Sequence, residues 1–357
     1  MQTGIIGLPQ VGKTTLFRIL TKAHLEPKTA AALHVGVAKV PDPRLDKLAA
    51  LYKPKKVTHA TVQYVDVGGM QKDQVRDAAV LAPLRDVEAL AHVLRVFEDP
   101  AVAHPGGPID ALRDATNLEL ELMLSDLDQI VRRMERIEKD LKKKKDPALE
   151  HERALLERCR AAIQSERPLR ELELTPDERK VTSGFKFLSQ LPMLYVLNLG
   201  DEEAPELSLA VERHKLAPLT KRPNSAVVPV CGRLEAELAE VEGEEAAELL
   251  ASYGLKEPGL DRLIHATYDL MGLISFFTVG EPEARAWTIR KGSTALQAAG
   301  EIHTDLEKGF IRAEVVRWDD LLDAGSLVTA RERSKVRLEG REYVVQEGDV
   351  LLIRHSG

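Results

Sequence analysis

The chain has 357 residues, 44% hydrophobic and 30% charged, with 57 acidic against 50 basic side chains and a net charge of −7. That length supports two or three domains with their own cores, and the acidic balance excludes a chain that wraps nucleic acid with its whole surface, leaving only a regional basic patch for such a role. Cys159 and Cys231 stand far apart without CxxC spacing, which excludes a zinc site or a disulfide framework; the N-terminus MQTGIIGLPQ lacks a secretory pattern and no run of about 18 apolar residues occurs, so a cytosolic protein without membrane association is expected.

Residues 1–112 alternate short apolar runs (TGIIG, HVGVAKV, ATVQYVDV, LAHVLRVFE) with helical patterns, the rhythm of a mostly parallel sheet with crossover helices. Between the first run and the first helix, GLPQVGKTT matches GxxxxGK[ST] at Gly7, Gly12, Lys13 and Thr14. Glycines let successive N–H groups face a phosphate chain. Lys13 supplies a point charge to the β and γ oxygens, and the Thr14 hydroxyl is a Mg²⁺ ligand. At the end of YVDV, about 50 residues on, Asp66 and Gly69 form DxxG, where the aspartate steadies the magnesium shell and the glycine amide senses the γ-phosphate. The next residue is Met70, whose thioether is a poor acceptor and offers no donor, so it does not orient water as the glutamine of Ras-like enzymes does. His34, near the first switch, and His303 are weighed as water-orienting groups, with packing or partner contact the preferred role for both.

Residues 113–187 read as a helical insertion. Leu120, Leu124, Leu127, Ile130, Met134, Ile137 and Leu141 step by three or four, and after KKKKD and Pro147 a second helix carries Leu149, Leu156, Cys159 and Ile163. The pair is expected to fold back as an antiparallel hairpin with Lys142–Lys145 at its tip, a helix end or a contact for RNA phosphates. The sheet resumes over 188–273, where VLNLGDEE offers Asn198 and Asp201 in a Ras-type base-reading spacing, with Leu199 in the slot of the usual lysine; the later loop VPVCGRLE adds Cys231 and Gly232. From 274 to 357 short strands and the helical stretch TALQAAGEIHTDL predict a small α+β domain, with Arg285, Arg290, Lys291, Lys308, Arg312 and Arg317 interleaved with Trp287, Phe310 and Trp318: either an ordinary sheet with apolar and polar faces or a surface for RNA or ribosomal protein, where arginine meets phosphate and aromatics stack.

GLPQVGKTTLF, VPDPRLDKL, VVPVC, EPGLDRLI, RAWTI and especially QAAGEIHTDLEKGFIRAEV resemble the YchF, or Obg-like ATPase, family over nearly the whole chain. The resemblance implies a P-loop domain interrupted by a coiled-coil hairpin and followed by a β-grasp-like TGS domain. It also implies slow ATP hydrolysis, binding to ribosomes and a role in translation or stress regulation. Carried over by position, Gln10, Val11, Gly12, Lys13, Thr14 and Thr15 wrap the phosphates, Thr14 binds Mg²⁺, and Asn198 and Leu199 border the base. This chain departs from the family in both switches: HLEPKTAAALHVGVAK is shorter than the usual pattern and keeps only Thr29, and QKDQVRDAAVLAPLRD has no glycine. The expectation is an ATP-preferring switch with slow or impaired hydrolysis that docks on ribosomes or ribosomal RNA through the hairpin and TGS domain. The alternatives are a GTP-binding member, for which Asp201 supplies the acceptor, and a nucleotide-stabilised adaptor without significant hydrolysis; a metabolic kinase lacks an acceptor site.

Overall fold

The structure is a computed structural model that describes residues 1–22, 33–68 and 78–356. The chain divides into two compact units, one made of residues 1–37 and 63–270 and the other of residues 38–62 and 271–357.

The first unit is built on a six-stranded sheet in the order β2 (His34–Lys39), β4 (Thr61–Asp66), β1 (Gln2–Ile6), β5 (Ala89–Arg95), β6 (Met193–Asn198), β7 (Ser225–Val230). Every residue of β5 is buried, as expected of a central strand covered on both faces. The pairs β1–β4, β1–β5, β5–β6 and β6–β7 are all parallel. The carboxyl ends of these five strands therefore meet at one edge, and the segments leaving that edge carry the phosphate loop, Asp66, the 96–102 loop, Asn198 and Cys231.

Asp110 caps the long helix Ala111–Lys143 by accepting from the Arg113 amide. Its first turns (Ala111, Ala115, Leu118, Leu122) share a core with Ile6, Leu90, Leu94, Tyr195 and Leu197. Further along, Met123, Ile130, Met134 and Ile137 pack with Leu155, Leu156, Cys159 and Ile163 of the antiparallel helix Pro147–Gln164. The seam differs in one respect from the sequence pattern: Leu124 is exposed and Met123 takes the buried position, because the helix must serve the sheet core before the hairpin core. Lys142–Lys145 are exposed at the turn, where Asp146 and Pro147 start the second helix. A buried ion cluster fixes the hairpin's root, with Glu119 bonded to Arg170, Arg222 and the Tyr195 hydroxyl of β6.

The second unit is a mixed sheet in the order β11 (Arg337–Glu339), β10 (Phe310–Arg317), β12 (Asp349–His355), β8 (Leu273–Val279), β9 (Ala284–Arg290), β3 (Val57–Thr58). The helix Ala295–Ile302, started by a capping box between Thr294 and Gln297, buries Ala295, Ala298 and Ala299 against Phe276, Val315 and Leu351. The helical stretch expected over 294–306 is two helices, broken at His303, whose Nδ1 accepts from the Asp305 amide at 3.2 Å. Residues 38–62 contribute helix α2 (Pro43–Tyr52) and the edge strand β3; Arg44 pairs with Asp42 and Glu347 and lies 5.2 Å from the Phe277 ring centre.

Glu119→Ala strips the buried Arg170 of its counter-ion. A loss of roughly 3–5 kcal/mol in urea unfolding is expected, since an uncompensated buried charge costs more than the pair gains. A loss below about 1 kcal/mol would contradict that role for the cluster.

Candidate nucleotide-binding site

The phosphate end is shaped by backbone geometry. Gly7 has φ +147° and a Cβ there would stand 2.6 Å from the Val93 carbonyl; Gly12 has φ +97° and a Cβ there would meet Asn198 Nδ2 at 2.3 Å. Only glycine fits either position. Gly12 then starts helix α1 (Lys13–Thr21), with no side-chain cap, and such a helix start leaves its first backbone amides available to an anion. Lys13 is only 4% exposed, and its Nζ donates to the Leu8 carbonyl at 2.5 Å across the loop. Burial lowers its pKa to about 8, partly countered by Asp66. Thr14 Oγ1 donates to Asp66 Oδ2 at 3.1 Å, and Asp66 Oδ1 accepts from the Gly68 amide at 3.0 Å. A hydroxyl and a carboxylate so placed are the hard oxygen donors that suit Mg²⁺ and its water shell.

A cavity of about 610 Å³ adjoins this loop. Gly12, Thr15 and Leu16 line its phosphate end; Phe97 and Pro100, Asn198 to Glu202, and Gly232 and Arg233 line the rest. Asn198 ties the segments together. Its Nδ2 donates to the Val11 carbonyl at 2.9 Å and its Oδ1 accepts from the Gly232 amide at 3.1 Å. Leu199 lines the cavity while its side chain, 2% exposed, anchors the loop in the sheet core. Asp201 accepts from the Cys231 thiol at 3.1 Å through Oδ1 and pairs with Arg233 Nε at 3.2 Å through Oδ2.

Of the residues singled out from sequence, Gly12, Thr15, Asn198, Leu199, Asp201 and Gly232 line this one cavity. Gln10 sits in the adjoining loop with φ +62°, Val11 contributes its carbonyl to Asn198, and Cys231 lies behind Asp201. The Gly232 amide donates to Asn198. Gly69, Met70 and Thr29 lie outside the described residues. His34 is the first residue of β2, its ring 6.3 Å from that of Phe17. Sequence reasoning missed Arg233 and the 97–100 loop. The latter is held by Arg95, buried at 2% exposure, which donates to the carbonyls of Phe97 (3.1 Å) and Val102 (2.9 Å). The signal was an arginine ending an otherwise apolar strand, since a buried guanidinium must find acceptors nearby.

In the second unit the aromatics read as RNA-stacking groups are engaged internally. Phe310 is in the core, Arg285 lies 3.8 Å over Trp287, and Lys47 lies 5.7 Å from Trp318. Lys291 and Arg312 remain exposed.

The buried ammonium of Lys13 makes nucleotide affinity pH-dependent. Bound polyphosphate favours the charged amine and raises its pKa above about 8, so binding takes up a proton once the free protein has lost it, and affinity falls as pH rises. Calorimetric Kd is expected to rise by about 25-fold between pH 7.5 and 9.5; a Kd that stays flat over that window contradicts the assignment. Gly12→Ala is expected to abolish binding while leaving the circular dichroism spectrum intact.

The chain is similar to the "Ribosome-binding ATPase YchF" of Bacillus subtilis (strain 168), 40% identical over 100% of this chain and 99% of the relative. It is likewise similar to the protein of that name from Escherichia coli O157:H7, 39% identical over 98% and 97% of the two chains. Among solved structures, "Structure of the Schizosaccharomyces pombe YchF GTPase" matches with a TM-score of 0.86 and 29% identity, covering 99% of this chain and 97% of that one. Residues 273–356 match the family model YchF-GTPase_C, described as "Protein of unknown function (DUF933)". With a phosphate loop, a base-sized cavity and this full-length identity, the chain belongs to the YchF family of P-loop nucleotide-binding proteins.

Proposed function

We propose that this chain is an ATP-preferring, Mg²⁺-dependent switch of the cytoplasm that docks on the ribosome according to the nucleotide it holds, and that it hydrolyses that nucleotide slowly. The reading is carried by one cavity that runs from Gly12 and Thr15 of the phosphate loop to Asn198 and Asp201, where Leu199 stands in the place of a lysine brace. The relatives' names differ over the nucleotide, one group being called ATPase and the solved structure GTPase. Base choice therefore rests on this chain's own loops.

In the proposed site the amides of residues 10–15 and the Lys13 ammonium hold the phosphates, and the Thr14 hydroxyl holds Mg²⁺ while Asp66 orients its water shell. Bound there, magnesium would supply charge neutralisation to the phosphates. Asn198 keeps the base loop in register with the phosphate loop. Hydrolysis is slow because Met70 gives an attacking water no strong hydrogen bond. The relatives' name, ribosome-binding ATPase, supports a ribosomal partner, and the exposed Lys142–Lys145 turn is the first candidate contact, a compact cationic tip for phosphate.

Single-turnover assays with Mg²⁺ and labelled ATP are expected to give about 10⁻⁴ to 10⁻³ s⁻¹, the range of switches that lack catalytic help; a rate near 1 s⁻¹ contradicts the proposal. Ribosome pelleting is expected to differ between ATP and ADP and to lose that difference in Lys13→Ala. Pelleting indifferent to nucleotide in the unmodified protein would favour the adaptor reading.

A further inference from the structure

Asp201 has the spacing of a guanine reader, yet its carboxylate is already engaged on both oxygens. Oδ1 accepts the Cys231 thiol at 3.1 Å and Oδ2 faces Arg233 Nε at 3.2 Å. Cys231 is 1% exposed, and burial pushes its thiol up to about 12, so it stays a donor at any working pH. Arg233 comes from the first turn of the helix Gly232–Leu238 and lines the same cavity as Asp201. Its side chain is 78% exposed, and its other acidic neighbour, Glu237 Oε1, lies at 3.8 Å.

The bases differ at the edge such a loop reads. Guanine presents two donors, N1–H and N2–H₂, which suit a free carboxylate; adenine presents an acceptor at N1. We propose that Cys231 and Arg233 are the specificity-determining residues of this site: by engaging Asp201 they turn the base-reading corner from an acceptor into a donor, which accepts adenine and rejects guanine. The inference rests on the adenine reading above and supplies its mechanism. Cys231 holds the carboxylate from the protein side and Arg233 covers it from the cavity side. A guanidinium fixed through Nε keeps its terminal N–H groups available to the adenine N1 lone pair. Guanine would set its N1–H against those donors, a donor-to-donor mismatch that disfavours it.

An exposed Asp–Arg pair can also be a surface contact of little consequence, so the test must separate the two. Calorimetry with Mg²⁺ and either ATP or GTP is to be run on the full chain, on Arg233→Ala, on Cys231→Ala/Arg233→Ala, and on the latter with Asp201→Ala added. Arg233 is exposed, so its single variant retains the fold. The full chain is expected to bind ATP at least about tenfold tighter than GTP, Arg233→Ala to weaken ATP by about tenfold, and the double variant to gain about tenfold for GTP, a gain that Asp201→Ala removes. A full chain without ATP preference overturns the adenine reading and the inference with it. An ATP preference that stays within about twofold in both variants overturns the inference alone, and a GTP gain that survives Asp201→Ala overturns the role given to that carboxylate.

Discussion

The candidate site depends on one amide. Asn198 uses its donor on the Val11 carbonyl and its acceptor on the Gly232 N–H, so a single side chain joins the segments leaving β1, β6 and β7. Neither an aspartate, which cannot donate, nor a leucine, which can do neither, would make both bonds. The constraint propagates to its neighbours. A Cβ at Gly12 would stand 2.3 Å from Nδ2 and one at Gly232 would stand 2.8 Å from Oδ1, so glycine at both positions follows from the amide between them. The phosphate loop and the two base loops are thereby one piece of structure.

The same economy appears in the long helix, which packs its first turns into the sheet core and its later turns into the hairpin core. That double duty explains the exposed Leu124 and the buried Met123. The second unit is likewise not a simple tail. It includes residues 38–62, so the chain passes between the units three times, at 37/38, 62/63 and 270/271. Two of those passages, 37/38 and 62/63, bound the stretch that leads into β4.

Much of this was legible in the sequence because its signals are local. The phosphate loop needs glycines at fixed offsets, the parallel sheet needs uninterrupted apolar runs, and the hairpin needs a three-four periodicity. Lys13, Thr14 and Asp66 lie together because the motif fixes both spacing and strand end, and Thr14 donates a hydrogen bond to Asp66. What escaped depends on long-range packing. An arginine ending an apolar strand says that the Arg95 guanidinium needs acceptors but not that the 97–102 loop supplies them, and nothing near Lys55 or Val57 announces an edge strand on a sheet formed more than 200 residues later. The partners of Asp201 were hidden for the same reason: Cys231 and Arg233 are 30 and 32 positions away (231 − 201 and 233 − 201) and carry no motif of their own.

If Asn198 makes the three loops one site, filling it must order all of them together. Amide hydrogen exchange with and without Mg²⁺ and ATP measures this directly at residues 10–15, 198–202 and 231–233. The expected result is matched protection in all three segments, lost from all three in Asn198→Ala. Protection confined to residues 10–15, with the two base loops exchanging as in the free protein, would contradict the account.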